Sequence, residues 1–131
     1  MMTDEEIRDF VSEWPDSWMG LEEDIAYGEQ LISIMSEFIH HLINKGLADK
    51  TICRHMDNLW LLGGVVIRDV SDYEEYDVAP WLKLSQLVSE NGGPWCRHLD
   101  SGAARISFDA TCRKLHKFMH AKQESGSCEK E

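Results

Sequence analysis

The sequence lacks any long apolar run, and this excludes a membrane-spanning helix. Its longest nearly apolar stretch, 59–67, has nine residues and contains two glycines, whereas a spanning helix needs about 20 apolar residues. No basic residue followed by an apolar run opens the chain, so we expect no secretory signal. The four cysteines are scattered over 131 residues, which is too few for a disulfide-stapled secreted scaffold. We therefore expect a reduced, cytoplasmic protein with free thiols.

Catalytic signatures are also missing from the sequence. There is no G-x-S-x-G motif, no phosphate-loop lysine and no G-x-G-x-x-G motif after a strand. The glycine pairs at 63–64 and 92–93 lack the lysine and hydroxyl that phosphate chemistry requires. Carboxylates are abundant, but their abundance on an acidic surface does not define a catalytic pair. The sequence therefore predicts a protein that is not an enzyme.

One set of metal-binding residue types lies at helical spacing. Cys112, His116 and His120 fall on one side of a predicted helix, and Cys96 and His98 could in principle complete a site. Structural zinc sites usually show paired ligands such as Cys-x-x-Cys, and no such pair is present. Three basic side chains also crowd the same helix and disfavour a cation. We expect a buried Cys112, histidines at the helix edge, and neither metal nor cofactor.

The composition and the apolar periodicity predict one all-α domain. The hydrophobic fraction of 43% and charged fraction of 28% are ordinary for one soluble domain of this length. We expect a bundle of about five helices over residues 1–122 and a frayed polar tail over 123–131. The first predicted helix is short, capped by Thr3 with Glu6 and ended by Pro15, and the second runs from 21 or 29 to 44. The third covers 50–70 with Asp49 as its cap, and the fourth begins at Pro80. The last is capped by Ser107, and its inner face carries Phe108, Cys112, Leu115 and Met119.

The third predicted helix should lie at the centre of the bundle. Its segment 59–67 is apolar on every side, which is typical of a helix surrounded by others. We therefore expect burial of Trp60, Leu62, Val66 and Ile67, and of Phe38 and Leu42 in the preceding helix. The glycine pair 63–64 indicates close approach of a neighbouring helix backbone, or alternatively a kink. On the first interpretation, Gly64→Leu should destabilise the fold by about 1–3 kcal/mol through overpacking.

Two other segments have predicted structural roles. The connector over 14–20 carries Trp14 and Trp18, and we expect it to lie as a strap across the core because single tryptophans are mostly buried. Residues 71–77 form an acidic loop before the fourth helix.

Charge is distributed unevenly along the chain. Thirteen Lys and Arg against 24 Asp and Glu give a formal charge of −11. Residues 1–40 hold eleven acids and one base, residues 41–68 four bases and two acids, and residues 101–122 five bases and one acid. The chain is therefore bipolar in sequence, with an acidic N-terminal half-face and weakly basic segments elsewhere. The simplest interpretation of these charges is a set of solvated helix faces that keep the protein soluble, and the alternative is a binding role.

The segment that contains the turn between the second and third predicted helices resembles a known DNA-binding domain. It contains the turn Gly46-Leu47-Ala48, followed by Thr51-Ile52-x-Arg54 at the start of the next helix. In both features, residues 31–67 resemble the N-terminal core-binding domain of tyrosine recombinases and phage integrases. The resemblance implies a SAM-like bundle of four or five helices that grips the DNA backbone from one side. The catalytic domain of that family is not part of this sequence.

A second resemblance covers part of the same region. The segment 58–69, with its Asn-Leu-Trp-x-Leu-Gly-Gly sequence, is similar to a family of uncharacterised bacterial proteins. This resemblance implies no activity.

Two functional hypotheses of different class follow. In the first, the chain is a stand-alone core-binding-like module that binds duplex DNA weakly; the resemblance places Lys45, Lys50, Thr51 and Arg54 near the phosphates, and Arg68 is a further candidate. In the second, it is a protein-interaction or regulatory module that binds a basic protein partner through its acidic face and does not bind nucleic acid. A contiguous basic face would favour the first hypothesis, and basic residues dispersed among carboxylates would favour the second.

Overall fold

Six helices form the regular structure in a computed structural model, which describes residues 3–96, 99 and 101–129, with side chains up to residue 123. They are α1 (Asp4–Val11), α2 (Trp14–Trp18), α3 (Glu23–Asn44), α4 (Asp49–Asp72), α5 (Pro80–Leu87) and α6 (Gly102–Glu129). Five of them have at least eight residues, and α2 has five. The described residues form no strand, only one isolated bridge between Ser89 and Gly92. The predicted all-α bundle of about five helices is confirmed.

No helix in the described part of the chain is both long enough and apolar enough to cross a lipid bilayer. The tail predicted to fray, 123–131, lies outside the residues whose side chains are described, apart from Gln123.

The N-terminal segment begins as predicted and then differs. The Thr3 hydroxyl accepts a hydrogen bond from the Glu6 backbone N–H at 3.2 Å, and the Glu6 carboxylate accepts one from the Thr3 backbone N–H at 3.2 Å. This reciprocal arrangement is the predicted capping box. Pro15, however, does not end the first helix, because α1 already ends at Val11. Pro15 lies in the first turn of α2, where its missing N–H is tolerated.

The turn between α3 and α4 has the glycine that the sequence indicates. Gly46 has a φ of +84°, a left-handed conformation that commonly ends helices. Leu47 is half-buried behind it. The prediction that Asp49 caps α4 is wrong by one residue, because Ala48 is the N-cap and Asp49 is the first helical residue. A carboxylate in the first turn still interacts favourably with the helix dipole.

Helix α4 packs at the centre of the molecule, although one side of it stays open. Leu62, Val66 and Ile67 are buried, and so are the two predicted α3 residues, Phe38 and Leu42. The prediction for Trp60 is wrong, because this side chain is 41% exposed. Its indole N–H reaches Ser17 of α2, but much of the side chain lies at the surface, so apolarity on every side of the segment did not produce burial on every side.

The close approach predicted at the glycine pair exists, but its partner is a side chain and only one glycine requires it. A Cβ atom added at Gly63 would lie less than 3.0 Å from three atoms of the Trp18 ring. At Gly64 the nearest atom of Trp18 would be 3.6 Å away, an ordinary contact. The Trp18 ring is fixed because its Nε1–H donates to the Trp60 carbonyl at 2.9 Å. For an added methyl group, the overpacking argument therefore applies to Gly63 and not to Gly64.

Helix α2 acts as the predicted strap across the core. Trp14 is buried and Trp18 is half-buried. The Trp60 indole N–H donates to the Ser17 hydroxyl at 2.9 Å, which ties α2 to α4 a second time. The segment predicted as a connector is thus a short helix docked on the two central helices.

Side chains of the predicted acidic loop form hydrogen bonds and ion pairs with neighbouring helices. Helix α4 extends to Asp72, so the loop begins later than predicted. The Tyr76 hydroxyl donates to the buried Asp24 carboxylate at 2.6 Å. The Lys83 ammonium, whose side chain is buried, forms ion pairs with Glu75 at 2.8 Å and with Asp69. Part of the negative charge in this segment is therefore neutralised within the fold.

The last helix begins before the residue predicted to cap it. Helix α6 starts at Gly102, and the Ser101 hydroxyl accepts from the Ala104 N–H at 3.1 Å. Ser107 lies within the helix, where its carbonyl and hydroxyl both accept from the Asn58 side-chain amide at 3.1 Å. The four residues predicted for the inner face, Phe108, Cys112, Leu115 and Met119, are all buried. Pro80 opens α5 as predicted.

Candidate nucleic-acid interface

The two basic segments of the sequence meet along an open groove between the C-terminal end of α3 and the middle of α6. Four lysines line this groove, namely Lys45, Lys114, Lys117 and Lys122. The Phe118 ring contributes to its apolar floor, and the Lys122 ammonium lies 5.9 Å from the centre of that ring. We call this feature, which has a volume of about 430 Å³, the basic groove. It combines an apolar floor with lysines along its sides.

Arg54 extends the positive charge from the basic groove to α4. The pKa of the neighbouring His55 is lowered mainly by burial, and also by the positive charges of Lys114 and Arg54. Lys114 of α6 and Arg54 of α4 therefore both lie near this imidazole. Lys50 is exposed one helical turn before Arg54, so the two side chains are neighbours on the helix surface.

Buried hydrogen bonds set the position of α6 against α4. The Thr111 hydroxyl lies 2.7 Å from His55 Nδ1 and accepts from the Asn58 amide at 2.9 Å. All three side chains are buried, and the described residues include no buried side-chain N or O atom without a hydrogen-bond partner. Because such bonds are directional, they fix the rotation of α6 and hence the direction in which its lysines project.

The predicted nucleic-acid-binding residues do not all lie together. Lys45 lines the basic groove, and Arg54 adjoins it through His55. Lys50 is exposed beside Arg54, and Thr51 is half-buried on the first turn of α4. Arg68 is elsewhere: it lies 14 residues beyond Arg54, or about 21 Å along the helix, where it lines a cleft with three tryptophans. We therefore leave Arg68 out of the interface.

Three lysines of the groove were not predicted as site residues. Lys114, Lys117 and Lys122 belong to the segment 101–122, whose charge excess was visible in the sequence. Their place in the groove depends on tertiary packing, and nothing in the local sequence pattern showed that α6 packs beside the end of α3. Arg113 and His116 continue the surface into an adjoining recess that also contains Glu90.

Carboxylates interrupt the basic surface at its edge. Glu37 lies 3.4 Å from Lys122, and both side chains are about half exposed. An exposed pair of this kind contributes little to stability, because solvent screens it. It does reduce the local positive charge, so Lys45, Lys114, Lys117 and Arg54 are the main cations available to a ligand.

No protein-family model, curated protein or solved structure matches this chain. The resemblance to recombinase core-binding domains thus stays a prediction.

The residues considered for a metal site lie in different environments, because the thiol is buried and the two imidazoles are near the surface. Burial raises the pKa of the Cys112 thiol to about 12, whereas the His116 and His120 rings stack 6.0 Å apart toward the surface. The described residues contain no group of three His, Cys, Asp or Glu side chains that could hold a metal ion, and His98 lies outside them. A protonated, buried thiol is a poor zinc ligand because zinc binds the thiolate.

We expect protein purified without a chelator to contain no stoichiometric zinc or iron, as measured by elemental analysis. The same preparation should melt at an unchanged temperature after dialysis against EDTA. About one metal ion per chain, lost together with stability on chelation, would contradict this prediction and would implicate Cys112, His116 and His120.

Proposed function

We propose that this protein binds the phosphate backbone of duplex DNA weakly and without reading the base sequence. The observation that supports this function is the convergence of two basic segments, distant in the chain, on the basic groove and its α4 flank. Lys45, Arg54, Lys114 and Lys117 provide four cations there, and lysine and arginine bind DNA by neutralising phosphates and releasing counterions. Lys45 and Arg54 are also positions that the recombinase resemblance places near DNA.

The net charge makes this binding weak. Residues 1–40 carry ten more acids than bases, and two of these acids lie near the groove end of α3: Glu37 is 3.4 Å from Lys122, and Asp4 of α1 is 3.2 Å from His40. DNA is repelled by such carboxylates, so its phosphates are attracted only by the cations of the basic groove and its α4 flank. We therefore expect binding at low salt that depends strongly on ionic strength.

A salt titration of a fluorescent duplex tests the proposal. With about four phosphate contacts, the logarithm of the binding constant should fall with the logarithm of salt concentration with a slope of about −3 to −4. Charge reversal of two groove lysines, Lys114→Glu with Lys117→Glu, should abolish binding. Reversal of the α4 pair, Lys50→Glu with Arg54→Glu, should abolish it as well.

Arg8→Glu is a matched control, because it reverses an exposed cation on the acidic helix α1 and should leave duplex binding unchanged. Absence of duplex binding at about 50 mM salt, a concentration at which such contacts are detectable, would contradict the proposal. So would equal losses from the control and from the groove variants. Either result would favour the alternative hypothesis, an interaction module that binds a basic protein through its acidic face.

A further inference from the structure

A separate apolar surface lies along the outward side of α4. It consists of Asp57, Trp60, Leu61, Gly64, Val65 and Arg68, which we call the α4 face. These residues line two recesses of about 450 and 620 Å³ that share Trp60 and Leu61. Asp57 lies in the first recess and Arg68 in the second. The α4 face is therefore a continuous apolar strip with one charge of each sign at its ends.

Contacts within the described part of the chain account for only part of this surface. The Trp60 indole N–H is bonded to Ser17, yet the side chain is still 41% exposed, although its size favours burial. Gly64 costs the helix about 1 kcal/mol relative to alanine, yet a Cβ atom there would meet Trp18 only at an ordinary 3.6 Å. Asp57 and Arg68 make neither an ion pair nor a hydrogen bond with any residue in the described part of the chain. A large apolar group, an unexplained glycine and two unpaired charges are thus collected on one side of a helix.

The α4 face is complementary to itself. Its residues form three pairs at equal distances from the point between Leu62 and Gly63: 57 with 68, 60 with 65, and 61 with 64. Each pair joins unlike partners, namely an acid with a base, an indole with a smaller branched side chain, and a leucine with a glycine. If a second α4 helix lies antiparallel across the first, with a twofold axis at that point, every residue meets its complement. Self-complementarity of this kind is what a twofold symmetric interface requires.

We propose that a second copy of this chain docks on the α4 face in an antiparallel, twofold symmetric arrangement. Asp57 pairs with the partner's Arg68, and the symmetry forms the same pair a second time. Leu61 packs over the partner's Gly64, where the absent side chain lets the two helices approach to within the usual 8–10 Å between axes. Trp60 and Val65 cover the sides of this contact.

Exposed aromatic residues at both ends fit the same arrangement. Phe10, 44% exposed, lines the recess that contains Asp57, and Trp95, 77% exposed, lines the recess that contains Arg68. Because the twofold axis brings these two ends together, each aromatic side chain lies next to the partner's opposite end. Tryptophan side chains of this kind often dominate the energy of protein interfaces.

Charge-swap variants test this dimer by sedimentation velocity. In Asp57→Lys, both symmetric contacts become pairs of like charge, and the same holds for Arg68→Glu. We expect each variant alone to self-associate at least tenfold more weakly than the natural sequence, because every substitution enters the interface twice. An equimolar mixture of the two variants restores both ion pairs, so it should sediment as a dimer of one chain of each kind.

The proposal would be overturned if the natural sequence were monomeric at about 100 µM, where even modest interfaces associate. It would also be overturned if neither charge swap weakened the dimer, or if the mixture of the two variants stayed monomeric. Arg8→Glu serves as the control for a change of charge outside the α4 face and should leave the dimer unchanged.

Gly64→Leu provides a second measurement that does not involve charge. A leucine at this position would occupy the space that Leu61 of the other copy needs. We expect a folded variant with an unchanged helical circular dichroism spectrum that remains monomeric at concentrations where the natural sequence dimerises. A folded Gly64→Leu variant that dimerises normally would contradict the proposed packing.

Discussion

Gly63→Ala is expected to lower the free energy of unfolding by about 1–3 kcal/mol, the usual cost of overpacking a close contact. The added methyl group would lie less than 3.0 Å from three atoms of the Trp18 ring. That ring cannot move away freely, because its N–H is bonded to the Trp60 carbonyl at 2.9 Å. Urea denaturation followed by circular dichroism measures the change.

The neighbouring glycine offers a matched control. Gly64→Ala adds the same methyl group to the same helix at a position with only an ordinary 3.6 Å contact. It should be neutral or should stabilise the monomer by up to about 1 kcal/mol, the difference in helix propensity. In a Trp18→Ala background, Gly63→Ala should lose its destabilising effect, since the clashing ring is gone. Equal destabilisation by the two glycine substitutions, or an unchanged cost without Trp18, would contradict the packing argument.

Thr111→Val should have the other large effect, again a loss of about 1–3 kcal/mol in the free energy of unfolding. Valine matches threonine in shape but has no hydroxyl, so His55 Nδ1 loses its partner at 2.7 Å. The Asn58 amide loses an acceptor at 2.9 Å and keeps only its bonds to Ser107. Buried polar groups without partners carry a desolvation cost. Thermal and urea denaturation at neutral pH give the comparison.

Thr51→Val is the control for this substitution, because Thr51 is a half-buried threonine of α4 without a hydrogen bond from its side chain within the described residues. It should change stability by no more than about 0.5 kcal/mol. Thr111→Ser keeps the hydroxyl and should retain most of the stability that Thr111→Val loses. If Thr111→Val proved as stable as Thr111→Ser, the hydrogen-bond network would have no energetic role.

The helices with a regular apolar stripe could be predicted from the sequence. Burial of Phe38 and Leu42 followed from apolar spacing, and Gly46 marked the end of α3. The error at Trp60 has a physical cause. Local apolarity measures the tendency of a segment to leave water, and it does not specify whether the covering surface belongs to the same chain.

The candidate interface was only partly predictable, for a different reason. The charge excess of the two basic segments was visible in the sequence, and the recombinase resemblance contributed Lys45 and Arg54. Their proximity to Lys114 depends on the packing of α6, which is fixed by Asn58 and Thr111 in otherwise apolar stripes. A single polar residue within a stripe does not reveal its partner, so this geometry became apparent only in three dimensions.

The tryptophan strap also provides the protein with an intrinsic optical reporter. The Trp14 and Trp18 rings lie 5.8 Å apart with an angle of 51° between their planes, in an asymmetric and hydrogen-bonded setting. Rigid aromatic groups in such a setting give a near-ultraviolet circular dichroism signal that disappears when tertiary packing loosens, while the far-ultraviolet helix signal persists. Release of α2 from α4 can therefore be followed separately from the melting of the bundle, without any added label.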